Sequence, residues 1–168
     1  MGVKIFDKMR RNVFLIALVS AVLVIIIIFF FQPSGASSFE SIENFDGEIT
    51  IYKSLSCGCC GLYANYFESR GNKDVKVIDM EDLSAIKKEY GVPLDLESCH
   101  MTVVGNYFVE GHVPLEAIDK LLSERPDIAG IAMPGMPSGS PGMPGQKYGE
   151  FIVYSVNKDG SYSEFMGI

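Results

Sequence analysis

The sequence predicts an α/β domain with a mixed central sheet, carried behind one N-terminal transmembrane helix. Three observations predict it. A 19-residue apolar run, Val13 to Phe31, is broken only by Ser20 and follows a basic N-terminus. From Glu48 onward, strand-like and helix-like periodicities alternate along the chain. Three thiols, Cys57, Cys59 and Cys60, fall within four residues between the first strand and the first helix of that series.

The apolar run is long enough to span a hydrocarbon core of ~30 Å as a helix. Lys4, Lys8, Arg10 and Arg11 precede it against a single acid, Asp7. Positive charge stays on the cytoplasmic side, so residues 1–12 are expected inside and everything after the run outside, periplasmic or at the cell surface. Residues 13–31 then form the anchor, residues 32–45 a tether that contains Pro33-Ser34-Gly35-Ala36-Ser37-Ser38, and residues 46–168 the working domain. A cleaved signal peptide is the alternative, since Ser34-Gly35-Ala36 is a passable cleavage site, but the run exceeds the ~7–15 residues of a usual signal core. From Ser38 onward the chain carries ten Lys and Arg against twenty Asp and Glu, a net charge near −10. That balance argues against nucleic acid or an anionic membrane surface as a partner.

Each element follows from its own pattern. Glu48 to Lys53 alternates Ile49 and Ile51 with polar neighbours, a strand. Leu62, Tyr63, Tyr66 and Phe67 share one face of a helix that stops at Gly71. Asp74 to Asp79 is a second strand, and Leu83, Ile86 and Tyr90 mark a helix closed by Gly91 and Pro93. Thr102-Val103-Val104 and Tyr107-Phe108-Val109-Glu110 flank a tight turn at Gly105-Asn106. Pro114 opens a helix bearing Leu115, Ile118, Leu121 and Leu122. Met133 to Gly145 is a Pro-, Gly- and Met-rich loop, and Phe151–Val156 with Ser161–Phe165 form a closing hairpin. The β-α-β-α-β-β-α order is that of a thioredoxin-like, three-layer domain. The thiols fall where such a fold keeps its reactive pair, at a helix N-terminus whose free N–H groups and dipole stabilise thiolate.

Four cysteines outside the cytoplasm ordinarily read as two structural disulfides. Here the spacing resists that, because adjacent Cys59 and Cys60 rarely bridge, Cys57–Cys60 closes a small reactive loop, and Cys99 alone is remote. Two chemistries remain. Cys57 and Cys60 are in C-x-x-C register, as a thiol–disulfide oxidoreductase requires, but such an enzyme has no use for Cys59 between them. Cu(I) does, because a soft monovalent ion prefers thiolates and thioethers. Cys99-His100 precedes the third strand, on the turn expected to face the reactive loop, and is a candidate extension of the site. Met136 and Met143 lie in the Met-rich loop, where Pro and Gly set turns that present thioethers. Met101 reads as core, and His112, in Gly111-His112-Val113-Pro114, as a residue leading into the next helix rather than a ligand. Zinc suits the C-x-C-C spacing and the methionines poorly. An iron–sulfur cluster fits the Met-rich loop no better.

Six ordered motifs carry a family resemblance: Cys57-Gly58-Cys59-Cys60, Gly91-Val92-Pro93, Ser98-Cys99-His100, Val109-Glu110-Gly111-His112-Val113-Pro114, Leu121-Leu122-Ser123-Glu124-Arg125-Pro126, and the stretch Pro134 to Met143. In this order they resemble the CopG-type copper-resistance proteins, a thioredoxin-like family of predicted metal-binding proteins once labelled a domain of unknown function. The resemblance spans Glu48 to Phe165. It implies copper, as Cu(I) and as a multinuclear cluster, held by Cys57, Cys59 and Cys60 with Met136 and Met143, and with Cys99 and His100 nearby. Storage of copper, its transfer to a copper exporter or oxidase, and cycling between Cu(I) and Cu(II) are the roles it leaves open. Two departures add thioethers: Met101 stands between His100 and Thr102, and Met133 precedes Pro134 where an aliphatic residue is usual.

Overall fold

A computed structural model of the chain describes residues 39–71 and 73–168, with Phe14, Leu18, Ser20, Val22 and Leu23 as isolated helical positions before them. The chain divides into two compact units, Met1–Ser37 and Ser38–Ile168. The expected cytoplasmic stretch and membrane anchor lie outside the described residues apart from those isolated positions. Among the described residues no helix is long and apolar enough to cross a membrane.

The second unit is a mixed α/β domain built on one seven-stranded sheet in the order β2-β1-β3-β4-β5-β6-β7. The strands are β1 (Ile49–Ser54), β2 (Lys76–Met80), β3 (His100–Val104), β4 (Tyr107–Glu110), β5 (Gly130–Ala132), β6 (Ile152–Val156) and β7 (Tyr162–Gly167). The helices are α1 (Glu40–Glu43), α2 (Gly58–Gly71), α3 (Ser84–Tyr90) and α4 (Leu115–Glu124), with a 3-10 turn at Leu94–Leu96. β1 and β2 run parallel, β3 is antiparallel to β1, and β4 folds back on β3 through Gly105-Asn106. β5 then lies parallel to β4, and the closing hairpin β6–β7 extends the sheet antiparallel.

Alternation along each strand sends side chains to two apolar clusters, one per sheet face. Ile49, Ile51, Val104, Val109, Ile131 and Val153 meet the buried faces of α2 and α4. Met101, Phe108, Ala132 and Val156 meet Val92, Leu96, and Ile86 and Tyr90 of α3. Helix spacing explains the fit. In α2 the buried residues Cys60, Tyr63, Ala64, Phe67 and Gly71 recur every three or four positions. Gly91 ends α3 in a left-handed conformation, φ 73°, which glycine adopts without a Cβ clash.

Three features differ from the sequence reading. The segment 32–45 is not all tether, because Phe39 and Ile42 are buried in the core cluster beside α4, and Ile42 is fully enclosed. Asp119 Oδ1 of α4 accepts the Ser41 and Ile42 N–H groups at 2.8 and 3.3 Å, which pins α1 down. One four-residue helix has no periodicity to read, and its polar Glu40-Ser41 start resembles linker. β5 is the second difference: three residues are too few to show alternation, and the strand exists by pairing with β4 and β6. The third is Met133, which ends its segment at 1% exposure in the core rather than starting the loop.

Candidate metal centre

The site is built where β1 ends and β3 begins. The register pairs Lys53 with His100, so the loop that follows Ser54 faces the turn that precedes β3. Cys57 sits just before α2, and Cys59 and Cys60 lie in its first turn, at the positive end of the helix dipole. Cys99 arrives from the other side. All four sulfurs lie within 4.8 Å of one another. Cys57 and Cys60 form a disulfide with Cα atoms 5.5 Å apart, and Cys59 and Cys99 are free thiols. Each disulfide sulfur has a free thiol beside it, Cys59 at 3.4 Å from Cys57 and Cys99 at 3.5 Å from Cys60.

A second grouping shares Cys99. Its Sγ lies 3.1 Å from His112 Nε2 and 3.5 Å from His100 Nδ1. His112 Nδ1 is 2.7 Å from the Pro141 carbonyl, which can only accept a hydrogen bond. The proton therefore sits on Nδ1, and Nε2 turns its lone pair toward the sulfur. A carbonyl fixing the far nitrogen of a ligating imidazole is a recurrent arrangement in metal sites. The two imidazoles pack edge to face with ring centroids 4.6 Å apart, and the buried Tyr63 ring lies 4.4 Å from His100. Tyr63 donates its hydroxyl to the Val113 carbonyl at 2.9 Å, so it walls the site rather than entering it.

The electrostatics hold His100 and Cys99 in their neutral forms until something positive enters. Burial, reinforced by His112 and Lys87, holds the His100 pKa down at about 3, so the ring is neutral at any physiological pH. Burial also lowers His112, against the Pro141 hydrogen bond that raises it. The Cys99 thiol is pushed up to about 11, first by burial and then by the charge of Cys59. A neutral imidazole is a competent ligand, and a soft cation displaces the proton of a thiol it binds. The donors therefore suit a thiophilic cation and disfavour a hard one.

The Met-rich loop lies across the top. Ser98 Oγ donates to the Gly135 carbonyl at 2.6 Å, and Pro141 reaches His112 as described. Gly142 (φ 79°) lies so close to α2 that a Cβ there would stand 2.8 Å from Cys59 O and Tyr63 N. Met143, the next residue, is half-buried, whereas Met136 is exposed. The structure thus brings Cys57, Cys59, Cys60, Cys99 and His100 together, while Met143 follows Gly142, the loop's point of contact with α2, and Met136 is exposed. It also brings in His112, which the sequence reading left to the following helix. α4 begins only at Leu115, and His112 is fully buried beyond the end of β4. No local signal marks it, because what holds His112 in place is the Pro141 carbonyl, 29 positions further along the chain.

Residues 96–143 match a family model described as "Protein of unknown function, DUF411". Among curated proteins, none matches the chain. Two solved structures are similar. "Copper resistance protein copG- Form 2" is 40% identical over 72% of this chain and 97% of its own, with a TM-score of 0.64. "Copper resistance protein copG- Form 1" is 39% identical over 72% and 96%, with a TM-score of 0.63. Near-complete coverage of those structures at such identity leaves one conclusion: the chain belongs to the CopG-type copper-resistance family.

Proposed function

We propose that this protein binds Cu(I) for copper tolerance, as a membrane-tethered domain on the extracytoplasmic side, and that its copper capacity is set by the redox state of Cys57 and Cys60. The carrying observation is the meeting of four cysteine sulfurs with two buried imidazoles, Cys99 being common to both groups. Two electrons and two protons convert the Cys57–Cys60 disulfide into two thiols. The reduced site then offers four thiols, enough to bridge more than one Cu(I) ion, with imidazole nitrogen at its edge, and Met136 and Met143 of the Met-rich loop are the candidate thioether donors. The disulfide form offers two. The strand order β2-β1-β3-β4 with a β-α-β start supports a thioredoxin-like ancestry for the core. The basic residues before the apolar run support extracytoplasmic placement. Storage and delivery to an exporter or oxidase both fit such a site.

The disulfide itself favours a second reading, a thiol–disulfide oxidoreductase acting through Cys57 and Cys60. A Cu(I) competition titration and an insulin-reduction assay on the same preparation separate the two. Copper binding predicts tight Cu(I) uptake by the reduced protein, at least a tenfold loss of affinity in Cys59→Ser, and negligible insulin reduction. An oxidoreductase predicts insulin reduction that survives Cys59→Ser, with no tight Cu(I) binding.

A further inference from the structure

A buried ion pair lies behind the sulfur site. Lys87 of α3 is 3% exposed and Glu110 of β4 is fully enclosed, with Lys87 Nζ donating to Glu110 Oε1 at 2.6 Å. Taking two charges out of water is costly, and apolar side chains of similar volume often serve stability as well or better. The pair also does something apolar side chains cannot. Glu110 Oε1 accepts the Ser98 N–H at 2.5 Å, and Lys87 Nζ donates to the Ser98 carbonyl at 2.5 Å. Both backbone polar groups of Ser98 are thus held by buried charges, and charge-assisted hydrogen bonds are the strong ones. The next residue is Cys99. It precedes the β3 ladder, whose nearby support here is the Gly111 N–H donated to the His100 carbonyl at 2.9 Å. Cys99 therefore hangs between a charged clamp on one side and the end of the sheet on the other.

We infer that Lys87 and Glu110 are positioning residues for the copper-binding turn: by gripping the Ser98 peptide they hold Cys99 Sγ at 3.1 Å from His112 and 3.5 Å from Cys60. The copper part of this inference rests on the function proposed above. The positioning part does not. Lys87 is invisible to a sequence reading of α3, whose apolar face runs through Leu83, Ile86 and Tyr90, because lysine at that spacing reads as a solvated position.

The test is the apolar double variant Lys87→Met with Glu110→Leu, made in the wild-type and Cys99→Ser backgrounds. In the wild-type background Cu(I) affinity falls ten- to a hundredfold, as when supporting groups of metal sites are removed. In Cys99→Ser the same change alters affinity less than twofold, because the pair acts through Cys99. Equal losses in both backgrounds overturn the inference, since a general loss of fold integrity is additive. A copper-free readout accompanies it: iodoacetamide labelling of the disulfide-intact protein, resolved by peptide mapping. The Cys99 rate changes at least fivefold while the Cys59 rate stays within twofold. If the wild type binds no Cu(I), the copper reading fails, and the labelling decides positioning alone; an unchanged Cys99 rate overturns it. Should the double variant not fold, Glu110→Gln replaces it. Gln keeps an acceptor for Ser98 without the charge, so a Cys99 shift of about threefold is expected, and an unchanged rate again overturns the inference.

Discussion

His100 directs Nδ1 to the Cys99 sulfur, while its Nε2 is buried with no hydrogen-bond partner among the described residues. A buried imidazole in that state resists protonation, hence its pKa of about 3. The unfolded chain binds a proton there near pH 6.5, so stability linked to His100 is fully present above 6.5 and is lost as pH falls toward 3. One pKa unit is worth about 1.4 kcal/mol, so about 2 kcal/mol is lost by pH 5. Glu110, raised to about 6 mainly by burial, titrates in the opposite sense over part of this range. The clean measurement is therefore the difference in unfolding free energy between wild type and His100→Gln. That difference should shift against the wild type by about 2 kcal/mol between pH 7 and pH 5, and a pH-independent difference would contradict the buried, neutral ring. At this scale the sequence was uneven. The thiols announce themselves by spacing, and Met101 reads correctly as core because it alternates with polar neighbours. His112 does not, because nothing local shows that the chain past β4 turns back beneath the Met-rich loop.

Two elements make the site, and a loop closes it. The first turn of α2 presents Cys59 and Cys60, the turn before β3 presents Cys99, and the Pro-Gly-Met loop is seated against both. Gly142 is where that seating is tightest: its φ of 79° and the 2.8 Å approach to Cys59 O and Tyr63 N leave no room for a Cβ. Gly142→Ala is expected to cost about 1–3 kcal/mol through the strained backbone alone. It should also lift Pro141 from His112 and reduce Cu(I) affinity about tenfold, the low end for a lost supporting contact. Thermal melting and a chelator competition check the two effects, and a variant that matches wild type in both contradicts the seated loop. Elements with strong periodicity, β1, α2, β3, β4 and α4, were legible to within a few residues, since burial on one face writes itself into spacing. The short ones were not. α1 and β5 hold their conformation through Asp119 and through neighbouring strands, information that lies far away in the chain.

Across the whole molecule, the sheet explains why distant sequence positions share one site. The β1–β3 pairing carries residues 57–60 to Cys99 across some forty positions, and β4 following β3 brings His112 alongside. The Met-rich loop, between β5 and β6, then returns over the same edge. The ordered motifs that carry the family resemblance fall on this convergence, which is why the family was legible in the sequence even though the second histidine and the charged clamp behind Cys99 were not. The reach of the core back to Phe39 was likewise hidden, because tether and domain meet without a change in composition. The proposed role makes this convergence a sulfur site for Cu(I). Copper K-edge X-ray absorption on the reduced, Cu(I)-loaded protein tests it most directly. Sulfur-dominated scattering with a short copper–copper distance is expected, both weakened when the Cys57–Cys60 disulfide is formed before loading. Copper held by nitrogen and oxygen alone, or bound equally well by the disulfide form, would contradict it.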